Sequence, residues 1–392
     1  MTTSGPRPET EKASDTEPLR LGVLGAGMIA TVDYGVLPNL GPIAHRVTVV
    51  AIADPVIERA REAAKSNPSW FGGATPAVYD SLDAMLEHAE LDAVLNLTPI
   101  AVHSQTSLAI LRAGKHLATE KPLATSMEDA DAIIETAQAA GLVIVCSPPD
   151  ALYPVYREAR RLIDADAIGK VAFARVRSSH AGPAGGLFGW PMDPTWFYQQ
   201  GSGPVLDMGV YGIHEITTLL GPAKRVVAFS GITEPTRVVR AGPYAGKVIE
   251  VTADDNALFM LDFGGATFAV VDGTYNVHAA KSPKIEVFGR RGVLNIRDGS
   301  AHGDAPIEIY RADAVPGIDG WVVPQSWERL RREQRWFDRL RRAILVEHLV
   351  ECVRTGARPT LSAEHARHAL EIMLKVEESS RTGRALDLTT TF

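Results

Sequence analysis

An ammonium, a carboxylate, a phenol and an imidazole stand out in this 392-residue chain, because packing alone does not explain where they fall. Lys121 lies in Glu120-Lys121-Pro122, directly after the hydrophobic run 115–119. That run reads as the fifth strand of a nucleotide-binding half, which puts the amine at the carboxyl edge of a parallel sheet, where open α/β folds bind ligands. Pro122 fixes the backbone that follows and biases Lys121 toward an extended conformation. Asp207, Tyr211 and His214 are spaced i, i+4, i+7, which predicts all three on one face of a helix. A core stripe has that spacing too, but is built from Leu, Ile and Val. Burying Asp, Tyr and His together would be costly, so the expectation is a site.

The elements that would position Lys121 begin at residue 19. The strand 19–24 runs into Gly25-Ala26-Gly27-Met28-Ile29-Ala30, the G-x-G-x-x-A form of the dinucleotide fingerprint, and predicts a helix continuing to about Asn39. Gly25 permits the turn, Gly27 lets backbone approach a pyrophosphate, and the amides at Met28 and Ile29 face it at the helix start. A second strand, 46–53, ends in Asp54, whose carboxylate suits the ribose diol of NAD and repels the extra phosphate of NADP. Arg59 and Arg61 on the next helix keep NADP possible.

From 19 to about 146 strands alternate with helices, predicting a parallel, doubly wound sheet. Beyond a helix at 154–166 the rhythm changes. A strand at 170–179, an aromatic loop at 181–204 and successive strand-like runs over 225–310 predict an antiparallel sheet in an α+β domain. Gly264-Gly265 reads as a hairpin turn, and helices near 326–355 and 362–382 complete the chain. The expected domains are therefore a flexible tail (1–18), a Rossmann domain (19–149) and an α+β domain (150–392). A net charge of −7 argues against nucleic acid as a partner, and the basic run from Arg329 to Arg342 reads as the wet face of an amphipathic helix. Two cysteines far apart suggest neither a disulfide framework nor a metal site. With no export signal or bilayer-length apolar run, the expected location is the cytoplasm.

These motifs, with Thr98-Pro99, His103, Gly114-Lys115-His116 and Asp207-x-Gly209-x-Tyr211, resemble the glucose–fructose oxidoreductase/inositol dehydrogenase family, Gfo/Idh/MocA. The resemblance covers nearly everything from residue 19 onward. It implies an N-terminal Rossmann domain and a C-terminal domain with a large open, predominantly antiparallel sheet that often serves as a homo-oligomer interface, giving a dimer or tetramer. It implies NAD or NADP chemistry on a secondary alcohol of a sugar, sugar derivative or cyclitol. Lys121 matches the catalytic lysine, Glu120 a neighbour of the nicotinamide ribose, and Thr98, Pro99 and His103 cofactor contacts. Asp207 and Tyr211 match the family's Asp and its proton donor. Departures are Gly201-Ser202-Gly203 for three glycines, Tyr211 for the commoner histidine, and His214 where many members have Asp or Asn.

Such a reaction needs a hydride acceptor and a base. A free lysine titrates near 10.4 and a tyrosine near 10, so Lys121 would need about three units of depression to serve as the base, and Asp207 opposes that shift. The expected division of labour has Tyr211 exchanging the proton while Lys121 polarises the hydroxyl and Asp207 orients both. His214 is the competing base. His180, Trp190, Trp196 and, more remotely, Tyr153 are candidate substrate contacts. A ketosugar reductase, a redox-neutral enzyme with retained cofactor, and a non-enzymatic sugar sensor are the alternatives.

Overall fold

The computed structural model describes residues 17–66, 68–71, 73, 75–187, 189–297 and 307–392. The tail expected over 1–18 lies, as far as residue 16, outside the described residues. The chain forms two compact units. Unit one runs to Thr119 and takes in Glu135–Val145 and Arg339–Pro359; unit two holds Glu120–Ile134, Cys146–Asp338 and Thr360–Phe392.

Among the described residues, unit one is built on a six-stranded sheet ordered β3-β2-β1-β4-β5-β6. Its strands are β1 (Leu19–Leu24), β2 (Val47–Ala53), β3 (Ala77–Tyr79), β4 (Ala93–Asn96), β5 (His116–Thr119) and β6 (Ile144–Cys146). β1 pairs in parallel with β2 and β4, and β4 with β5. The helices between them are α1 (Met28–Thr31), α2 (Ile57–Ala64), α3 (Leu82–His88), α4 (His103–Arg112) and α5 (Met127–Ala140). All four residues of β4 are buried, as expected for a strand covered on both faces. Strand order reverses between β1 and β4, the topological switch point at which such sheets take nucleotides.

The helix expected from Gly27 to Asn39 is a correction. α1 stops at Thr31, Val32 is extended, and the chain turns back so that the Val36 amide reaches Ile29 O at 3.0 Å. Gly35 makes that return possible, since a Cβ there would lie 2.6 Å from Ile29 O. Leu37–Asn39 and Gly41–Ile43 then form single 3₁₀ turns.

Unit two carries a nine-stranded mixed sheet, ordered β16-β15-β14-β13-β7-β12-β11-β8-β17. In chain order these are β7 (Val171–Arg177), β8 (Arg225–Gly231), β11 (Asn256–Gly264), β12 (Thr267–Thr274), β13 (Ile285–Gly289), β14 (Gly292–Ile296), β15 (Ile307–Val315), β16 (Ile318–Val322) and β17 (Leu386–Asp387); β9 (Thr236–Val238) and β10 (Val248–Glu250) form a separate ribbon. β7 and β12 run parallel, whereas β11–β12 and β8–β11 are antiparallel. Helices α6 (Pro154–Asp164), α7 (Gly182–Gly185), α8 (Val210–Leu220), α9 (Trp327–Leu340), α10 (Ile344–Thr355) and α11 (Ala363–Thr382) complete the chain, with α10 in unit one. Alternation sorts the sheet's faces. Ala257, Phe259 and Leu261 on β11 are buried, while Leu258 and Met260 are exposed, as are Phe229, Phe268, Val270 and Phe173 on neighbouring strands. The single helix expected near 326–355 is broken between α9 and α10, where Arg341 takes the left-handed conformation (φ 46°).

Candidate active site

In unit one the fingerprint glycines do different things. Gly25 has φ 95°, and a Cβ there would lie 2.8 Å from Leu97 O, so only glycine fits between β1 and the end of β4. A Cβ on Gly27 would meet nothing within 4 Å, leaving open space above the turn. The amides of Gly27, Met28 and Ile29 have no backbone acceptor among the described residues. Open space over outward N–H groups fits a pyrophosphate. Asp54 is buried at the end of β2. One carboxylate oxygen accepts from Ala26 N (2.9 Å) and the other from Val56 N (2.8 Å), so it braces the glycine turn and keeps spare lone pairs.

At the end of β4 the buried Asn96, which sequence reasoning missed, organises the next loop. Its Oδ1 accepts from the amide (3.2 Å) and hydroxyl (2.7 Å) of Thr98, and its Nδ2 donates to Thr106 and Ser107. His103 is also buried, with Nε2 at 2.7 Å from Thr98 O, so it holds the loop from beneath. Pro99 is exposed beside it.

Unit two brings Lys121, Asp207 and Tyr211 together. Lys121 Nζ donates to Asp207 O at 2.7 Å and Asp207 Oδ1 at 3.3 Å, and lies 5.2 Å from the centroid of the Tyr211 ring. Burial alone would push the ammonium's pKa down, yet the charges of Tyr211, Asp207 and Glu120 raise it above its ordinary value. Lys121 therefore remains an ammonium. The Tyr211 hydroxyl has no hydrogen-bond partner among the described residues. Glu120 is pinned by the Lys121 amide (3.2 Å) and the Ser147 hydroxyl (3.3 Å).

Asp207 sits in a single wide π turn, Val205–Gly209, that leads into α8. Ser178, just past β7, fixes this turn: its hydroxyl donates to Met208 O and accepts from Gly212 N (3.0 Å). A Cβ on Gly212 would lie 2.7 Å from Ser178 Cβ, so the glycine allows helix and strand to meet.

Two further residues surround the carboxylate. Tyr275, absent from the sequence expectations, donates to Asp207 Oδ2 at 3.0 Å. His180 stacks on Tyr275 (5.5 Å between centroids), and its Nδ1 accepts from Gly182 N at 2.7 Å. Burial lowers its pKa, Asp207 raising and Lys121 lowering it, so the ring is neutral with its proton on Nε2.

The expected Asp–Tyr–His face is corrected at its third member. His214 is buried with its ring 4.5 Å from His365 on α11, and burial, with His368 nearby, pushes it down to about 3. His214 is packed in the core against α11 instead. Trp190 and Trp196 gather on Phe197 (5.5 and 4.3 Å), in the aromatic cluster that includes Tyr198 and Tyr275. The Tyr153 ring lies edge-on to Phe337 at 5.6 Å.

A dinucleotide turn in one unit and a lysine–carboxylate–phenol group in the other define the class: this is an NAD-binding oxidoreductase. Two family models make the class specific. "Oxidoreductase family, NAD-binding Rossmann fold" matches residues 19–148, and "GFO/IDH/MocA C-terminal domain" matches 156–295. The chain belongs to the GFO/IDH/MocA family. It is 23% identical over 370 residues to scyllo-inositol 2-dehydrogenase (NAD(+)) of Bacillus subtilis, covering 94% of this chain and 96% of that one. It is 33% identical over 208 residues to dTDP-3,4-didehydro-2,6-dideoxy-alpha-D-glucose 3-reductase of Streptomyces violaceoruber, a match spanning 53% of this chain and 56% of that relative. Among solved structures, an NAD binding oxidoreductase from Klebsiella pneumoniae shares the fold, with a TM-score of 0.78 at 20% identity, covering 95% of this chain and 100% of that one.

Proposed function

We propose that this chain exchanges hydride between NAD and a secondary alcohol or ketone of a sugar, sugar derivative or cyclitol. The observation that carries the reading is the Lys121 ammonium, held by Asp207 beside a phenol whose hydroxyl is unengaged. When bound, NAD supplies the hydride acceptor. Lys121 donates to the substrate oxygen and stabilises the alkoxide that develops there, while Tyr211, entering the step as its phenolate beside the ammonium, takes the hydroxyl proton and becomes the neutral phenol. Asp207 keeps the ammonium charged and in place. His180 offers its Nε2–H to a neighbouring hydroxyl, and Trp190 and Trp196 offer apolar ring faces to a sugar. The amides of Gly27, Met28 and Ile29, presented by the turn at Gly25, hold the pyrophosphate, Asp54 and Glu120 the riboses, and Thr98 and Pro99, braced by His103, the chain between. Asp54 favours NAD; NADP is the weaker substitute.

The names of the relatives support a cyclitol or sugar substrate. The identity to a sugar 3-reductase favours a second reading, in which the same residues run the reaction toward reduction and Tyr211 donates the proton. The apolar sheet face bearing Phe229, Leu258, Met260 and Phe268 suits a second copy of the chain, making a homo-oligomer. No described helix is long and apolar enough to cross a membrane, which accords with a cytoplasmic enzyme. A spectrophotometric screen of sugars, cyclitols and their keto forms with NAD(H) and NADP(H) tests the proposal. Tight NAD binding without turnover of any of them would leave a sensor as the reading.

A further inference from the structure

We propose that Tyr275 is a positioning residue for the reaction, dividing the Asp207 carboxylate so that one oxygen is occupied and only the other faces Lys121. The proposal rests on the functional reading above.

Asp207 is bonded on two sides. Oδ2 accepts from Tyr275 at 3.0 Å, while Oδ1 lies 3.3 Å from Lys121 Nζ. The ammonium makes its shorter bond to the backbone oxygen of the same residue, at 2.7 Å. The carboxylate thus stands off from the lysine rather than chelating it, which leaves the ammonium a direction in which to meet a substrate oxygen.

The geometry that does this is rigid. Tyr275 is 1% exposed, and its amide is tied to Asp255 O at 2.9 Å. Its ring lies against His180 on one side and Tyr198 on another, with centroids 5.5 and 5.3 Å away. Gly182 makes room for it, since a Cβ there would be 2.9 Å from Tyr275 Cβ. Burial and the facing carboxylate keep the phenol protonated, so it can only donate to Asp207. A residue serving solely to fill the core would work equally well as phenylalanine. Removing the hydroxyl leaves Oδ2 without its donor, and the carboxylate then gains by turning both oxygens onto the ammonium.

The test is Tyr275→Phe, which keeps the ring and its packing, read in two ways. In crystals of the variant beside the wild type, the Asp207 carboxylate is expected to rotate toward Lys121 and draw its ammonium off the Asp207 carbonyl. With any sugar or cyclitol the wild type turns over, kcat is expected to fall about ten- to hundredfold, the rate equivalent of one hydrogen bond to a charged group, with KM for NAD unchanged. Carboxylate and ammonium found in their wild-type places, or an unaltered kcat, overturns the proposal. A wild-type protein inert toward every compound in the screen ends the functional reading instead, and the crystallographic arm still decides the role of Tyr275.

Discussion

Unit two contains two lysine–carboxylate pairs of similar make-up and different use. Lys121 meets Asp207, with Tyr275 bonded to the carboxylate and Tyr211 beneath the ammonium. Lys284 meets Glu215 on α8, with Tyr156 bonded to the same carboxylate oxygen at 2.7 Å. In the first pair both side chains keep a window to solvent, 13% for Lys121 and 18% for Asp207. In the second the carboxylate is fully enclosed, at 0%. Its other oxygen, Oε2, has no charged donor, and beside it Asp150 is pushed up to about 7 by burial and by the Glu215 charge. A proton on Asp150 would give Glu215 a further donor. One pair is closed on itself and joins α6, α8 and the segment before β13; the other leaves a phenol and an ammonium unspent. Composition does not separate the two pairs, but the carboxylate's access to solvent does.

Substitutions can break this contrast. Lys121→Ala should abolish measurable turnover while NAD binding, followed by fluorescence titration, and the melting temperature stay near wild type. Tyr211→Phe should slow hydride transfer by roughly 10²–10⁴, seen in single-turnover kinetics. Normal rates there, with loss in His214→Ala, would return the proton to the histidine. Lys284→Met should act oppositely, costing about 3–5 kcal/mol in urea unfolding because an enclosed carboxylate loses its partner, with kcat of the folded fraction preserved. Equal loss of activity in both lysine variants would erase the distinction drawn here.

The smallest effect concerns pH. Asp150 binds its proton more tightly folded (about 7) than its ordinary value of 3.8, so this group's contribution is fully present below about 4 and is lost as pH rises through 7. Asp150→Asn, a permanent donor to Glu215, should match wild-type melting near pH 5 and exceed it at pH 8. Parallel melting curves at both pH values would show that the carboxyl pair shares no proton.

Much of the frame was legible because it obeys local rules. The strands of unit one other than β3 announced themselves as apolar runs between helices, and β11–β12 as strand-like runs joined at Gly264-Gly265. That Lys121, Asp207 and Tyr211 would come together was legible because fixed motifs carry them. What escaped depends on partners distant in sequence. Nothing local shows that Gly35 lets the chain fold back on Ile29, or that Arg341 ends α9. Tyr275 looks like any aromatic closing a strand, and Lys284 like any lysine in a turn; each gains meaning from a carboxylate 68 or 69 residues away. His214 misled because its packing against His365 on α11 is a contact distant in sequence, invisible to helical spacing.

The Ser178 hydroxyl, shared between Met208 O and Gly212 N, ties both the wide turn that carries Asp207 and the start of α8 to the end of β7. The aromatic loop at 181–204 is thus free to diverge, while Asp207 inherits its place from β7. Selection can retune what the enzyme recognises without rebuilding how it reacts.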